Sequence, residues 1–335
     1  MRVFLTHTPA MRANYYGTRA LAGLEAIADV TFHQGDEALP PEALIERAAD
    51  ADLIIADRMT TGPAAIFLEL PRLKAFMRCA VDIRNIDVHA ASAAGVLVTR
   101  AGPSFVSSVT ELALGFLVDL ARGISRSSEA YHAGEAVPEV RMGRQLAGST
   151  LGIIGFGAIG RELARVASAL GMTILVDDPH VKVDEPHLRQ VDLATLLAGS
   201  DHVVCLAVAT AETENLIDDK ALRRMRRDAV FINLSRGNLV DEAALAAALA
   251  ESRIAGAAMD VGRAPDQMPS PALARLPNVV ATPHIGGLTP QAIEGQALET
   301  VSQVEAILAG DVPRGAVNAE SWRRRPIASA QRSGT

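Results

Sequence analysis

Three short segments carry side chains whose types could do chemistry. Asn233-Leu234-Ser235-Arg236-Gly237 supplies a guanidinium, Met259-Asp260-Val261 a carboxylate, and Pro283-His284-Ile285-Gly286-Gly287 an imidazole. A guanidinium holds a carboxylate through two parallel hydrogen bonds and polarises a carbonyl beside it. An imidazole titrates near neutral pH, so His284 can give or take a proton while a bond to carbon forms or breaks. This pairing suits a small organic acid that gains or loses a hydride.

A fourth segment could hold the hydride carrier. Residues 151–154 form an apolar run that leads directly into Gly155-Phe156-Gly157-Ala158-Ile159-Gly160, and residues 161–170 have the apolar spacing of a helix. Gly155 permits a tight turn, Gly157 lets a pyrophosphate approach the backbone, and Gly160 lets helix and strand pack closely. The helix start offers unpaired N–H groups to the phosphates. A second β-rich run, 173–176, ends at Asp177-Asp178, placing Asp178 18 residues past Gly160 where a ribose-binding carboxylate belongs. An acid there repels a 2′-phosphate and favours NAD over NADP.

The remaining elements must position these groups. Strands are expected at 3–5, 29–32, 52–56, 73–79 and 96–98, with helices at 18–26, 41–49 and 63–70. Residues 104–122 read as a helix too apolar for a one-faced surface helix, with Glu111 inside it either functional or structural. Residues 123–149 read as polar and irregular, broken by Gly134, Pro138 and Gly143. Strands then recur at 203–208, 230–234, 255–259 and 279–281, with helices at 188–198, 219–225 and 242–251 between them. A long helix over 290–310 follows, and 320–335 reads as a mobile tail in which Trp322 either docks on a neighbour or stays free. The alternation predicts an α/β chain with two doubly wound parallel sheets.

Composition narrows the partner. The formal net charge of -7 gives no general attraction to nucleic acid or to an anionic membrane. Cys79 and Cys205 sit in separate apolar runs, as expected of buried free thiols in a reducing compartment. No metal-type spacing is present, no uninterrupted apolar run reaches the length of a membrane span, and the start lacks the pattern of a signal peptide. A cytoplasmic protein acting on a small molecule is the expectation.

With the glycine turn, the Asn-x-x-Arg-Gly loop, the strand ending in Asp-Val and the Pro-His-x-Gly-Gly loop in this order, the chain resembles the D-2-hydroxyacid dehydrogenase family. The resemblance extends over nearly the whole chain, including Arg84-Asn85-Ile86-Asp87-Val88. It implies a Rossmann NAD-binding domain, 101–289, inserted into a flavodoxin-like substrate domain, 1–100 with 290–320, and a homodimer joined through the NAD domain. It also implies that Arg236 binds the carboxylate and carbonyl and that His284 is the acid/base. NAD would be held by Gly155, Phe156, Gly157, Ala158, Ile159, Gly160, Asp178, Leu234, Asp260 and Gly286. Glyoxylate, hydroxypyruvate, larger 2-oxo acids and 3-phosphoglycerate are the candidate substrates. A formate- or phosphite-type dehydrogenase and an NAD-binding regulator without turnover are the alternatives.

Two departures bear on the site. Members of the family orient the histidine with a glutamate about five residues after the Asp of Asp-Val, followed by proline, whereas this chain has Ala264-Pro265-Asp266-Gln267 there. Asp266 is expected to substitute for it, with Gln267 as the neutral alternative. In the loop 78–85, Ala80 and Asp82 stand where glycines are common. Val81 and Asp82 would then face substrate, with Arg84 or Arg58 neutralising Asp82; Arg58 is either a substrate contact or a surface cation.

Overall fold

The computed structural model describes residues 1–137 and 139–326; Pro138 and 327–335, expected above in the irregular stretch and the tail, lie outside them. Among the described residues, twelve strands form two sheets. Strands β1 (Arg2–Leu5), β2 (Asp29–Phe32), β3 (Leu53–Ala56), β4 (Ala75–Arg78) and β5 (Leu97–Arg100) make the first, in the order β2-β1-β3-β4-β5. The second contains β6 (Thr150–Ile154), β7 (Thr173–Asp177), β8 (Leu188–Gln190), β9 (His202–Cys205), β10 (Val230–Asn233), β11 (Gly256–Met259) and β12 (Val279–Ala281). Its order is β12-β11-β10-β9-β6-β7-β8, and every pairing in both sheets is parallel. Both orders reverse direction at the first strand of the sheet, the doubly wound pattern.

Each sheet belongs to its own compact unit. One comprises Met1–Ser104 together with the chain from Pro290 on, the other Phe105–Thr289. Alternation along each strand sends neighbouring residues to opposite faces, and central strands such as β3 and β10 are buried along their whole length. Val3 and Leu5 join one core cluster with Ala297, Val301, Val304 and Ile307 of the helix Pro290–Ala309, while Phe4 joins the other with Phe67 and Phe76. In the second unit Phe231 and Met259 face one cluster, and Ile232 and Ala258 the other. The helix Val106–Arg122 packs Val109, Ala113, Phe116 and Leu117 into this second cluster, leaving Glu111 exposed.

Several stretches differ from the sequence reading. Residues 188–190 form the edge strand β8, and the helix begins later, at Leu193, because the Asp192 side chain caps it by accepting the Thr195 N–H. Within 123–149, Ile124–His132 is a helix, entered through Gly123 at φ 67°, which ends the preceding helix in left-handed conformation. Two short helices, Pro9–Tyr15 and Val88–Ala94, were not expected; each is capped, by Thr8 and Asp87. Finally, Trp322 docks on its own chain: it is buried in the core of the first unit and donates its indole N–H to the Lys74 carbonyl at 3.0 Å. Cys79 and Cys205 are buried free thiols, and burial pushes both up to about 12.

Candidate active site

The second unit builds the glycine turn as a dinucleotide cradle requires. Gly155 sits at φ +93°, and a Cβ there would lie 2.6 Å from the Ala207 nitrogen. A Cβ on Gly160 would come within 2.4 Å of the Gly155 oxygen, so helix and strand touch there. Gly157 is different: nothing lies within 4 Å of where its Cβ would be, and it is the N-cap of the helix Ala158–Ala169. The backbone is therefore bare where a phosphate would approach. Gly157 and Ala158 are exposed, Ile159 is half-buried, and the buried Phe156 carries the Arg161 guanidinium over its ring at 4.5 Å.

Asp178 closes this cradle. Its Oδ2 accepts the Phe156 N–H at 2.7 Å, and its Oδ1 accepts the N–H groups of His180 at 2.8 Å and Val181 at 3.1 Å. A carboxylate has about four acceptor positions, so capacity remains for a ribose hydroxyl. Burial pushes the neighbouring Asp177 up, and repulsion from Asp178 and Asp192 adds to it. These residues fit an adenine dinucleotide.

Arg236, Asp260 and His284 follow the C-terminal ends of three adjacent strands, β10, β11 and β12. Asn233, fully buried at the end of β10, accepts the Ser235 N–H at 3.1 Å and donates to the Arg236 carbonyl at 3.0 Å, which folds the loop around the arginine. Arg236 is half-buried and its Nη1 donates to the Ser235 carbonyl at 2.7 Å. Leu234 is buried, its N–H on the Cys205 carbonyl at 3.3 Å. Asp260 is buried beneath the histidine loop: Oδ1 accepts the Thr282 hydroxyl at 2.6 Å and the Ile285 N–H at 2.8 Å, and Oδ2 the Gly286 N–H at 2.9 Å. His284 lies at φ +55°, with Nδ1 2.9 Å from the main-chain oxygen of Asp266. The atom of Asp266 on the ring is thus a backbone carbonyl, where the sequence suggested a carboxylate.

The first unit brings together the other candidates. Arg84 grips both oxygens of Asp82, Nε at 3.0 Å from each and Nη2 at 2.6 Å from Oδ2, and the pairing raises the Arg84 pKa. Arg84, Asp82 and Arg58 are exposed and Val81 is half-buried. Beneath them Arg78 is completely buried and donates to the carbonyls of Asp57 and Thr60 and to Asn85 Oδ1. The Asp57 carboxylate accepts the hydroxyls of Thr6 at 2.6 Å and Thr60 at 2.5 Å. Burial alone would raise the Asp57 pKa, yet these hydrogen bonds and the Met59 N–H bring it below the usual carboxylate value. Asn233, Asp57, Arg78 and Arg263 had drawn no role from the sequence. Only Asn233 carried a signal, as the first residue of the Asn-x-x-Arg-Gly loop.

Among the described residues no cluster of His, Cys, Asp and Glu could hold a metal ion, and no helix is long and apolar enough to cross a membrane.

Fold and cradle define a two-unit α/β protein of the dinucleotide-binding dehydrogenase class. Residues 114–286 match the NAD binding domain of the D-isomer specific 2-hydroxyacid dehydrogenases, and the chain belongs to that family. It is 35% identical to the (S)-sulfolactate dehydrogenase of Chromohalobacter salexigens over 86% of this chain and 94% of that enzyme. It is 31% identical to the D-3-phosphoglycerate dehydrogenase of Methanocaldococcus jannaschii over 89% of its length, but spans only 57% of that enzyme. The D-lactate dehydrogenase of Lactobacillus jensenii, solved with NAD+, superposes with a TM-score of 0.82 at 25% identity, covering 95% of this chain and 99% of that one.

Proposed function

We propose that this chain is an NAD-dependent D-2-hydroxyacid dehydrogenase that interconverts a 2-oxo acid and its D-2-hydroxy acid. The observation that carries this reading is the placement of Arg236 and His284 past the C-terminal ends of strands in one parallel sheet, the side on which open α/β sheets bind ligands. The nicotinamide, when bound, supplies the hydride. Arg236 binds the substrate carboxylate and polarises the carbonyl, stabilising charge as it develops on oxygen. His284 donates the proton that turns that oxygen into a hydroxyl, and accepts it in the reverse direction. Asp266 supports His284; within the first unit, Arg58, Val81 and Asp82 are the proposed substrate-contact residues.

The Arg84 grip on Asp82 screens that carboxylate from an anionic substrate, which is compatible with a simple 2-oxo acid. The relatives named as sulfolactate and phosphoglycerate dehydrogenases suggest acids with a second polar group as further candidates. We place the enzyme in the cytoplasm, as a homodimer. Exposed Ile124, Tyr131, Val140 and Met142 lie along the segment after the helix Val106–Arg122 and suit contact with a second copy.

The test is oxidation of NADH and NADPH by the purified protein across a panel of 2-oxo acids, with His284→Ala alongside. Turnover with NADH that vanishes in the variant supports the reading. Binding of NADH without turnover on any acid overturns it in favour of a regulator.

A further inference from the structure

The contact between His284 and Asp266 has an unusual origin. A carbonyl oxygen only accepts, so the Nδ1 facing it must carry the proton, and Nε2 is left as the atom that gives or takes a proton. That carbonyl reaches the ring because of backbone conformation: Asp266 lies at φ 56°, ψ 26° and Gln267 at φ 60°, two consecutive non-glycine residues in the left-handed region. The turn is closed by Gly262 N–H donating to the Gln267 carbonyl at 2.8 Å and by Ala264 N–H donating to the Met268 carbonyl at 3.0 Å. A Cβ on Gly262 would stand 2.6 Å from Pro269 Cα, so the closure has no room for a side chain.

Arg263 clamps this turn to the rest of the unit. Its Nη2 donates to Glu214 Oε1 at 2.9 Å, Asn215 Oδ1 at 2.5 Å and the Asn238 carbonyl at 3.0 Å, and its Nε to the Val240 carbonyl at 3.1 Å. Its own N–H donates to Glu242 Oε1 at 2.9 Å. Five non-glycine residues have positive φ among the described residues, and four of them, Asn215, Asp266, Gln267 and His284, belong to this network. Such conformations persist only where surrounding contacts over-determine them, and they concentrate at functional sites.

We propose that the main chain of Asp266, held in its left-handed turn by Arg263, is the positioning group of His284 and takes the place of the side-chain carboxylate absent from this chain. Asp266 and Arg263 are positioning residues that act through the ring. The inference rests on the reading of His284 as the proton donor, and its spectroscopic arm does not require turnover.

The test is a backbone series read by ring ¹⁵N NMR and by kinetics. Wild-type protein is expected to show His284 protonated at Nδ1 when neutral. Asp266→Asn and Asp266→Gly tolerate positive φ, so both should keep that signature and lower kcat by only about threefold, whereas β-branched Asp266→Val should lose it and lower kcat about a hundredfold, the scale of lost general-acid help. Arg263→Met, which leaves residues 266 and 267 unchanged, should move both readouts in the direction of Asp266→Val while KM for NADH holds. A wild-type proton on Nε2, or Asn and Gly variants as impaired as Val, overturns the proposal. His284→Ala with undiminished turnover would instead defeat the proton-donor reading, and the tautomer series would still decide the positioning.

Discussion

The backbone N–H of Gly286 points at Oδ2 of Asp260 from 2.9 Å, two residues beyond His284. With Thr282 and Ile285 on the other oxygen, the buried carboxylate holds the whole histidine loop in place. An amide at this position turns one acceptor into a donor facing donors, costing about 1–3 kcal/mol. Asp260→Asn should therefore lower kcat more than it weakens NADH binding. Stopped-flow kcat and the Kd for NADH decide this: equal factors in both would mean that Asp260 acts directly on the nicotinamide.

Gly157 and Gly160 separate binding from folding. Alanine at 157 meets no atom of the protein within 4 Å and, with φ at -75°, no backbone strain. Gly157→Ala should leave Tm in place while weakening NADH binding about tenfold, or about 1.4 kcal/mol. Gly160→Ala must push apart helix and turn, its Cβ 2.4 Å from the Gly155 oxygen, and should lower Tm instead. Calorimetry of both variants with and without NADH checks this; equal losses of Tm would show that Gly157 is structural.

Both sheets and the glycine turn were legible because buried parallel strands are written as short apolar runs, and because the glycines at 155, 157 and 160 stand in a fixed spacing directly after such a run. The exposed edge strand Leu188–Gln190 lacked that signal, since it is partly polar, and it merged with the helix after it. The order Arg236, Asp260, His284 was readable for the same reason as the strands before it. Asp266 was readable as the residue beside the histidine, but the contacting atom was not: residue type points to a carboxylate, whereas a main-chain oxygen depends on φ at 266 and 267, which composition does not encode. Arg263 was hidden likewise, since its acceptors at 214, 215, 238 and 240 come from two other loops.

His7 predicts a pH dependence of stability. Burial pushes its pKa down to about 4, Arg12 and Arg78 pushing the same way while Asp57 opposes. In the unfolded chain the imidazole takes a proton near pH 6.5, so below that the unfolded state binds a proton the folded state refuses. Stability is therefore lost as pH falls from 6.5 to about 4, by about 3 kcal/mol at roughly 1.4 kcal/mol per pKa unit. Burial lowers the His202 pKa too and adds loss of the same sign. Urea midpoints for His7→Gln at pH 7 and pH 4.5 should differ less than those of wild type. An undiminished difference would mean that His7 is not held neutral.

Trp322, the single tryptophan of the chain, predicts a stability change in the first unit. Its ring lies in the core cluster with Ala75, Leu97 and Ile307, its N–H on the Lys74 carbonyl at 3.0 Å and the Arg325 guanidinium 5.6 Å from its centroid. The next residues fasten the same end of the first sheet, Arg324 donating to the carbonyls of Leu70 at 2.8 Å and Leu73 at 2.9 Å. Truncating a buried tryptophan costs about 3–5 kcal/mol, so Trp322→Ala should lower the urea midpoint of the first unit sharply. Trp322→Phe keeps most of the packing and should cost mainly the hydrogen bond, about 1 kcal/mol. Circular dichroism measures both variants, and wild-type tryptophan emission should be that of an apolar site, moving to that of water only on unfolding. Emission typical of water in the native protein, together with an unaltered midpoint in Trp322→Ala, would return this segment to the free tail that its composition suggests.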